Sequence, residues 1–176
     1  MHAFLLLTLL VQAPPGTDRW DPLYLLHGGR TGRASGFAVA DAGDVNGDGW
    51  SDILLGAPNV YEAGSSEPSI FSGPQRSLLR SFFAGPYQRL GYSVSGAGDV
   101  DRDGLADVIL GAPGSYNGGT ASVYSGRSGR VLFHWEQVAG SVYFGWKVCG
   151  AGDVDADGWP DLAVGDDRFD ARLEAL

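Results

Sequence analysis

The sequence predicts an all-β protein built from units of four antiparallel strands. Three observations carry that prediction. The string Ala-Gly-Asp-Val occurs three times, beginning at Ala42, Ala97 and Ala151, at spacings of 55 and 54 residues. The 176 residues include 28 Gly and 9 Pro with no Gly-X-Y period, so short apolar runs are punctuated by tight turns rather than wound into a collagen-like helix. No segment carries a helical apolar period of useful length. With 44% hydrophobic residues, the chain can bury a core and is not a disordered tail.

The elements follow in order. Residues 3–11 (AFLLLTLLV) are apolar but too few to cross a bilayer, and Val11-Gln12-Ala13 has the small residues of a cleavage site. Residues 1–13 therefore read as a secretory signal peptide, with a buried N-terminal strand as the competing reading. Residues 21–33 hold a stray outer strand at 23–26 and a linker. Three repeats then occupy 34–87, 88–141 and, in part, 142–167, followed by an irregular tail at 168–176. In each repeat a first strand (37–42, 92–96, 146–150) enters an Asp-rich turn, and an apolar second strand leaves it (52–55, 107–110, 161–164). The first two repeats add a third strand (69–71, 121–124), a Ser-Gly turn (Ser72-Gly73, Ser125-Gly126) and a fourth strand (78–83, 130–135). Four antiparallel strands in roughly 50 residues match one β-propeller blade.

Propellers close with about four to eight blades. Two whole units and a half make an incomplete propeller of about two and a half blades, with sheet edges and blade faces left over. The expectation is a truncated gene or fragment, or an open arc that self-associates to complete the propeller, and in neither case a well-behaved monomer.

The chemistry lies in the turn between the first two strands. The first copy places Asp44, Asn46, Asp48 and Asp52 at positions 1, 3, 5 and 9. The second places Asp99, Asp101, Asp103 and Asp107; the third places Asp153, Asp155, Asp157 and Asp161. Alternate side chains in a tightly curled loop can converge on one centre. Glycine at position 6 (Gly49, Gly104, Gly158) permits the sharp turn, and position 7 (Trp50, Leu105, Trp159) can offer its backbone carbonyl. An all-oxygen cage of five or more ligands suits Ca²⁺, lacks the nitrogen and sulfur that zinc prefers, and fits Mg²⁺ less well because that ion demands near-octahedral geometry. Ordinary Asp/Gly turns are the bland alternative, but a turn needs no such density of carboxylates, and without a cation they repel. The expected load is about three Ca²⁺ per chain. Three divalent ions would remove most of the net charge of −9.

Spacing excludes an EF-hand or a dockerin-type loop. Position 12, where those loops need an acidic residue, is Leu55, Leu110 or Val164, inside a strand. Thrombospondin type 3 repeats use similar aspartates but are rich in cysteine, whereas this chain has one Cys. The surviving pattern resembles the FG-GAP repeat of integrin α-chain propellers and of many secreted bacterial proteins. Gly-Ala-Pro is literal at Gly56-Ala57-Pro58 and Gly111-Ala112-Pro113, and Phe-Gly at Phe144-Gly145; the matching pairs elsewhere are Ser35-Gly36 and Leu90-Gly91. The third repeat departs, with Gly165-Asp166-Asp167 where the proline motif belongs. The resemblance covers about residues 21–165. It implies a Ca²⁺-stabilised β-propeller module, secreted or at the cell surface, serving adhesion or the binding of an extracellular protein or glycan.

Other classes are less well served. Lys and Arg total 12 against 21 Asp and Glu, and Lys147 is the single lysine, which argues against nucleic acid or anionic membrane as partner. No second apolar stretch approaches membrane-spanning length, so no transmembrane segment is expected. No nucleophile elbow or phosphate loop appears, and His2, His27 and His134 lie outside the repeated turns, so the chain is expected not to be an enzyme. The alternatives are a glycan-binding propeller module or a non-catalytic fragment of a larger secreted enzyme. Trp50 and Trp159 could stack on a sugar, although cover for the loop and packing against a neighbouring blade are the favoured roles. Cys149 is expected to be a small buried residue of a first strand.

Overall fold

The computed structural model describes residues 6–10, 22–27, 35–59, 65–86, 88–115, 118–136 and 143–167. Among the described residues every regular element is a strand. β1 (Leu6–Leu10) pairs antiparallel with β2 (Pro22–His27), with Leu7 opposite Leu26. The stray strand expected near residue 23 thus exists, and its partner lies inside the segment read as an export signal. The linker at 28–33 and the tail at 168–176 lie outside the described residues.

The first repeat supplies β3 (Ala38–Gly43), β4 (Asp52–Gly56), a two-residue β5 (Ser65–Ser66), β6 (Ser69–Phe71), β7 (Leu78–Ser81) and a short β8 (Ala84–Pro86). β3, β4, β6 and β7 form one antiparallel sheet in chain order, while β5 pairs with β8 alongside it. The second repeat gives β9 (Ser93–Gly98), β10 (Asp107–Ser115), β11 (Gly118–Tyr124) and β12 (Val131–Glu136), again one antiparallel sheet in chain order. Among the described residues the third gives β13 (Lys147–Gly152) and β14 (Asp161–Gly165). The expected all-β architecture of four-stranded blades is therefore present. Two complete blades and a half blade make an open, incomplete propeller.

Strand ends deviate from expectation for a definite reason. In all three blades the ladder skips one residue of the first strand: Ala42, Ala97 and Ala151 have no partner, while Gly43, Gly98 and Gly152 pair with the aspartates that open the second strands. Those glycines sit at φ of 73°, 75° and 76°. The Ala-Gly of the repeated string is thus a β-bulge that redirects the chain into the acidic loop.

Packing runs between blades. In β10 the alternate residues divide between two interfaces: Val108 and Leu110 join the core shared with the first blade, and Ile109 the core shared with the third. This explains an unbroken apolar run in a strand whose two faces are both buried. Each such side chain contributes about 1.5–3 kcal/mol by leaving water. Blades approach closely because Gly56 and Gly111 lack a Cβ; one there would lie 2.2 Å from the Gly91 carbonyl oxygen and 2.1 Å from that of Gly145. The glycines of both halves of the repeat motif therefore meet across the seam. Phe37, Tyr92 and Trp146 occupy equivalent positions and form a ring ladder, with centroids 4.9 and 4.7 Å apart.

Cys149 corrects the expectation of burial, because it is exposed. In β13 the neighbouring Val148 points into the core against the second blade, so Lys147 and Cys149 face the other way, where no described blade follows.

Candidate metal centres

Each acidic loop is held in shape by its own carboxylates. In the first, Asp44 Oδ1 accepts from the amides of Asn46, Gly47 and Asp48 at 3.3, 2.7 and 3.2 Å, and Oδ2 from Gly49 at 2.8 Å. Desolvation pushes the Asp44 pKa up, but the four amides together hold it below the ordinary carboxylate value. The same caps recur: Asp99 accepts from Asp103 and Gly104 at 3.0 and 2.9 Å, and Asp153 from Asp157 and Gly158 at 3.1 and 2.9 Å. Position 5 turns to position 7 instead. Asp48, Asp103 and Asp157 accept from the amides of Trp50, Leu105 and Trp159 at 3.0, 3.0 and 2.8 Å.

The glycines at position 6 have φ between 84° and 87°, so the left-handed turn expected of them is present. Position 4 is left-handed too, at Gly47, Arg102 and Ala156.

Position 9 does two jobs. Asp107 Oδ2 accepts from Val100 and Asp101 at 2.7 and 3.3 Å, while Oδ1 accepts from Gly126 in the β11–β12 turn at 3.0 Å. Asp52 likewise bonds Val45 at 3.1 Å and Gly73 at 3.2 Å. Both side chains are fully buried, and that desolvation raises their pKa despite the amide bonds. In the third blade Asp161 bonds Val154 at 2.7 Å and is only half-buried. Sequence reasoning treated position 9 as a ligand and Ser-Gly as a mere turn. The recurrence of a Ser-Gly turn at Gly73 and Gly126, downstream of Asp52 and Asp107, was the signal for the link.

Carboxylate oxygens of Asp99, Asp101 and Asp107 lie within 4.8 Å of one another, as do those of Asp153, Asp155 and Asp161. Calcium–oxygen distances of about 2.3–2.6 Å allow ligands on one ion to stand at most about 5 Å apart, so both trios fit a single Ca²⁺. Asp103 and Asp157 stand outside the trios. The first loop differs in having an amide at position 3: Asn46 Nδ2 donates to Asp48 Oδ2 at 3.1 Å, and Asn46 Oδ1 accepts from the Asp48 amide at 2.9 Å.

The tryptophans do not bury as expected. Trp50 is 67% exposed and Trp159 44%. Trp159 does pack against a neighbouring blade, but beneath a cation: the Arg102 guanidinium carbon lies 3.4 Å from its ring centroid, and Arg102 Nη2 donates to the Gly158 carbonyl at 2.9 Å. Trp50 belongs to the first blade, which no described blade precedes on that side. His134, expected near a fourth strand, lies on β12 and shares a 2.7 Å hydrogen bond with Ser122 across the strand pair. No helix among the described residues is long and apolar enough to cross a membrane.

Comparison with known proteins agrees with this architecture. The FG-GAP-like repeat family matches residues 99–164 and the FG-GAP repeat family residues 37–66. Integrin alpha-3 of Cricetulus griseus is 32% identical over 169 residues, covering 80% of this chain and 15% of that protein. Integrin alpha-IIb of Mus musculus is 32% identical over 83% of the chain, and integrin alpha-5 of Xenopus laevis 31% over 90%. The matched region spans 16% and 17% of those two proteins, so this chain represents a small part of its relatives' length. On the three repeated loops, the blade architecture and these matches, the chain belongs to the FG-GAP repeat family and is integrin-α-like.

Proposed function

We propose that this chain is a calcium-binding, non-catalytic extracellular repeat module, in which bound Ca²⁺ stabilises the blades and the assembled surface serves adhesion or ligand binding. The observation that carries the reading is the convergence of two carboxylate trios within 4.8 Å, in loops whose backbone is already organised by amide bonds. Asp99, Asp101 and Asp107 would hold one ion, Asp153, Asp155 and Asp161 a second, and Asp44, Asn46 and Asp52 a third. Asp48, Asp103 and Asp157 fix the position-7 residues Trp50, Leu105 and Trp159, whose carbonyls complete the proposed sets. Bound calcium supplies the positive charge that the crowded carboxylates lack, and so couples first strand to second. Extracellular modules bind Ca²⁺ at roughly 10⁻⁴–10⁻³ M, so these loops would fill outside the cell and stay empty in cytosol. Export through residues 1–13 accords with that setting. The partner is an extracellular protein.

Calorimetric titration of the chelator-treated chain with Ca²⁺ tests the reading. About three ions per chain are expected; no heat and no shift in melting temperature up to millimolar Ca²⁺ would overturn it. The exposure of Trp50 favours a second reading, a saccharide stacked on its ring. Retention on a glycan array that Trp50→Ala abolishes without lowering the melting temperature would establish it.

A further inference from the structure

Position 7 of the second and third acidic loops rests on position 4 of the loop before, and the two seams make that contact with different chemistry. At the first, Leu105 lies against Gly47, and the Ala106 amide donates to the Asp44 carbonyl at 2.9 Å. Asp44 opens the first loop and Ala106 precedes Asp107, so a single backbone bond ties one loop to the closing ligand of the next. At the second seam that bond has no counterpart. Residue 160, equivalent to Ala106, is a proline and carries no N–H; it covers Gly98 instead. Arg102 makes the connection there. From position 4 of the second loop its Nη2 donates to the Gly158 carbonyl at 2.9 Å, and its guanidinium carbon lies 3.4 Å from the Trp159 ring centroid.

Arg102 stands where an ion in the second loop would act on it. On one side is Asp101, a member of the carboxylate trio; on the other is Asp103, whose carboxylate holds the Leu105 amide at 3.0 Å. Its backbone is left-handed, with φ 59°, and its side chain is exposed. Arginine carries close to the largest rotamer freedom of any side chain, so its contacts organise little from a mobile stem and more from a fixed one. At its far end it meets positions 6 and 7 of the third loop. The Gly158 amide is held by Asp153 at 2.9 Å, and the Trp159 carbonyl belongs to the third ligand set.

We propose that Arg102 is a positioning residue of the third calcium site and couples that site to the second. An ion held by Asp99, Asp101 and Asp107 fixes the stem of Arg102, and the guanidinium then holds Gly158 and Trp159 where the third site needs them. Coupling between sites is reciprocal, so an ion in the third loop tightens the second by the same factor. This rests on the calcium reading and adds to it that the two loops fill together.

Amide NMR spectra of the full chain during Ca²⁺ titration test the proposal, because the Gly104 and Gly158 amides, each held by the first aspartate of its own loop, report the two sites separately. Asp101→Ala removes an exposed ligand of the second site and should weaken binding at the third by about fivefold or more; Asp155→Ala should weaken the second by the same factor. Arg102→Ala keeps a Cβ and so leaves the left-handed backbone as it is. In that background each site's affinity should become independent of the other. Repulsion between the two ions, and the charge lost with each aspartate, are common to both backgrounds and cancel from the comparison. A third site indifferent to Asp101→Ala in the native chain would overturn the proposal. Dependence undiminished in Arg102→Ala would overturn it too, by placing the coupling in the apolar packing of the seam. Gly104 and Gly158 amides both unmoved by millimolar Ca²⁺ in the native chain would instead sink the calcium reading, and the coupling with it.

Discussion

Asp107→Ala and Asp161→Ala remove the same residue of the same motif, and their costs should differ severalfold. Asp107 is fully buried and holds the Val100 and Gly126 amides at 2.7 and 3.0 Å, with Asp101 more loosely at 3.3 Å. Two close bonds to a charged acceptor are worth about 1.5–3 kcal/mol each. Against them stands the desolvation of the carboxylate, which the substitution relieves and which is large enough to raise its pKa. The net loss should be about 3 kcal/mol, or roughly 6–12 °C in melting temperature for a chain of this size. Asp161 is half-buried and keeps one amide, that of Val154, so its removal should cost about 1 kcal/mol or less.

Urea unfolding with calcium chelated isolates this difference, because no ion contributes to either variant. Hydrogen exchange of the Gly126 amide gives a local readout: Asp107→Ala should speed it, and Asp161→Ala should leave it unchanged. Equal destabilisation by the two substitutions would refute the view that position 9 anchors the β11–β12 turn independently of metal. It would then be a ligand and nothing more.

Three further outcomes are expected. Gly111→Ala places a methyl group 2.1 Å from the Gly145 carbonyl oxygen, a backbone atom that must shift to admit it, and overpacking of this kind costs about 1–3 kcal/mol or more, read by thermal melting. Ala156→Gly relieves a left-handed φ of 61° at an exposed site and should raise stability by up to about 1 kcal/mol in the chelated chain, whereas Gly49→Ala, at φ 84° with open space around it, should lower it by about the same amount. Arg102→Ala removes both the cation over Trp159 and the bond to the Gly158 carbonyl; a loss of about 1 kcal/mol and a change in tryptophan emission are expected, and unchanged emission would contradict the stacking.

The blades and their acidic loops were legible because their signals are local. An Asp at every second position, a Gly at position 6 and an apolar run after position 9 sit within about a dozen residues, and their recurrence at constant spacing separates them from chance. The bulges at Ala42, Ala97 and Ala151 were legible in principle, since Ala-Gly precedes the first aspartate of all three acidic loops, but a strand read from alternation alone ends where alternation ends. Seam contacts were not legible. Leu105 meets Gly47, and Trp159 meets Arg102, more than fifty residues apart in sequence, and nothing near Trp50 indicates that it is left exposed among the described residues. The misjudged burial of Trp50 and Cys149 follows from this. In a blade array the environment of a residue is set by its neighbour's copy of the same position, so identical motifs acquire different exposures at the two ends of the row. Val45 is 3% exposed and Val154 72%, although both follow the first aspartate of an intact loop. Burial in this fold is thus a property of the seam. The loops can be read one repeat at a time, whereas the stability of each repeat depends on which face of the next one it meets.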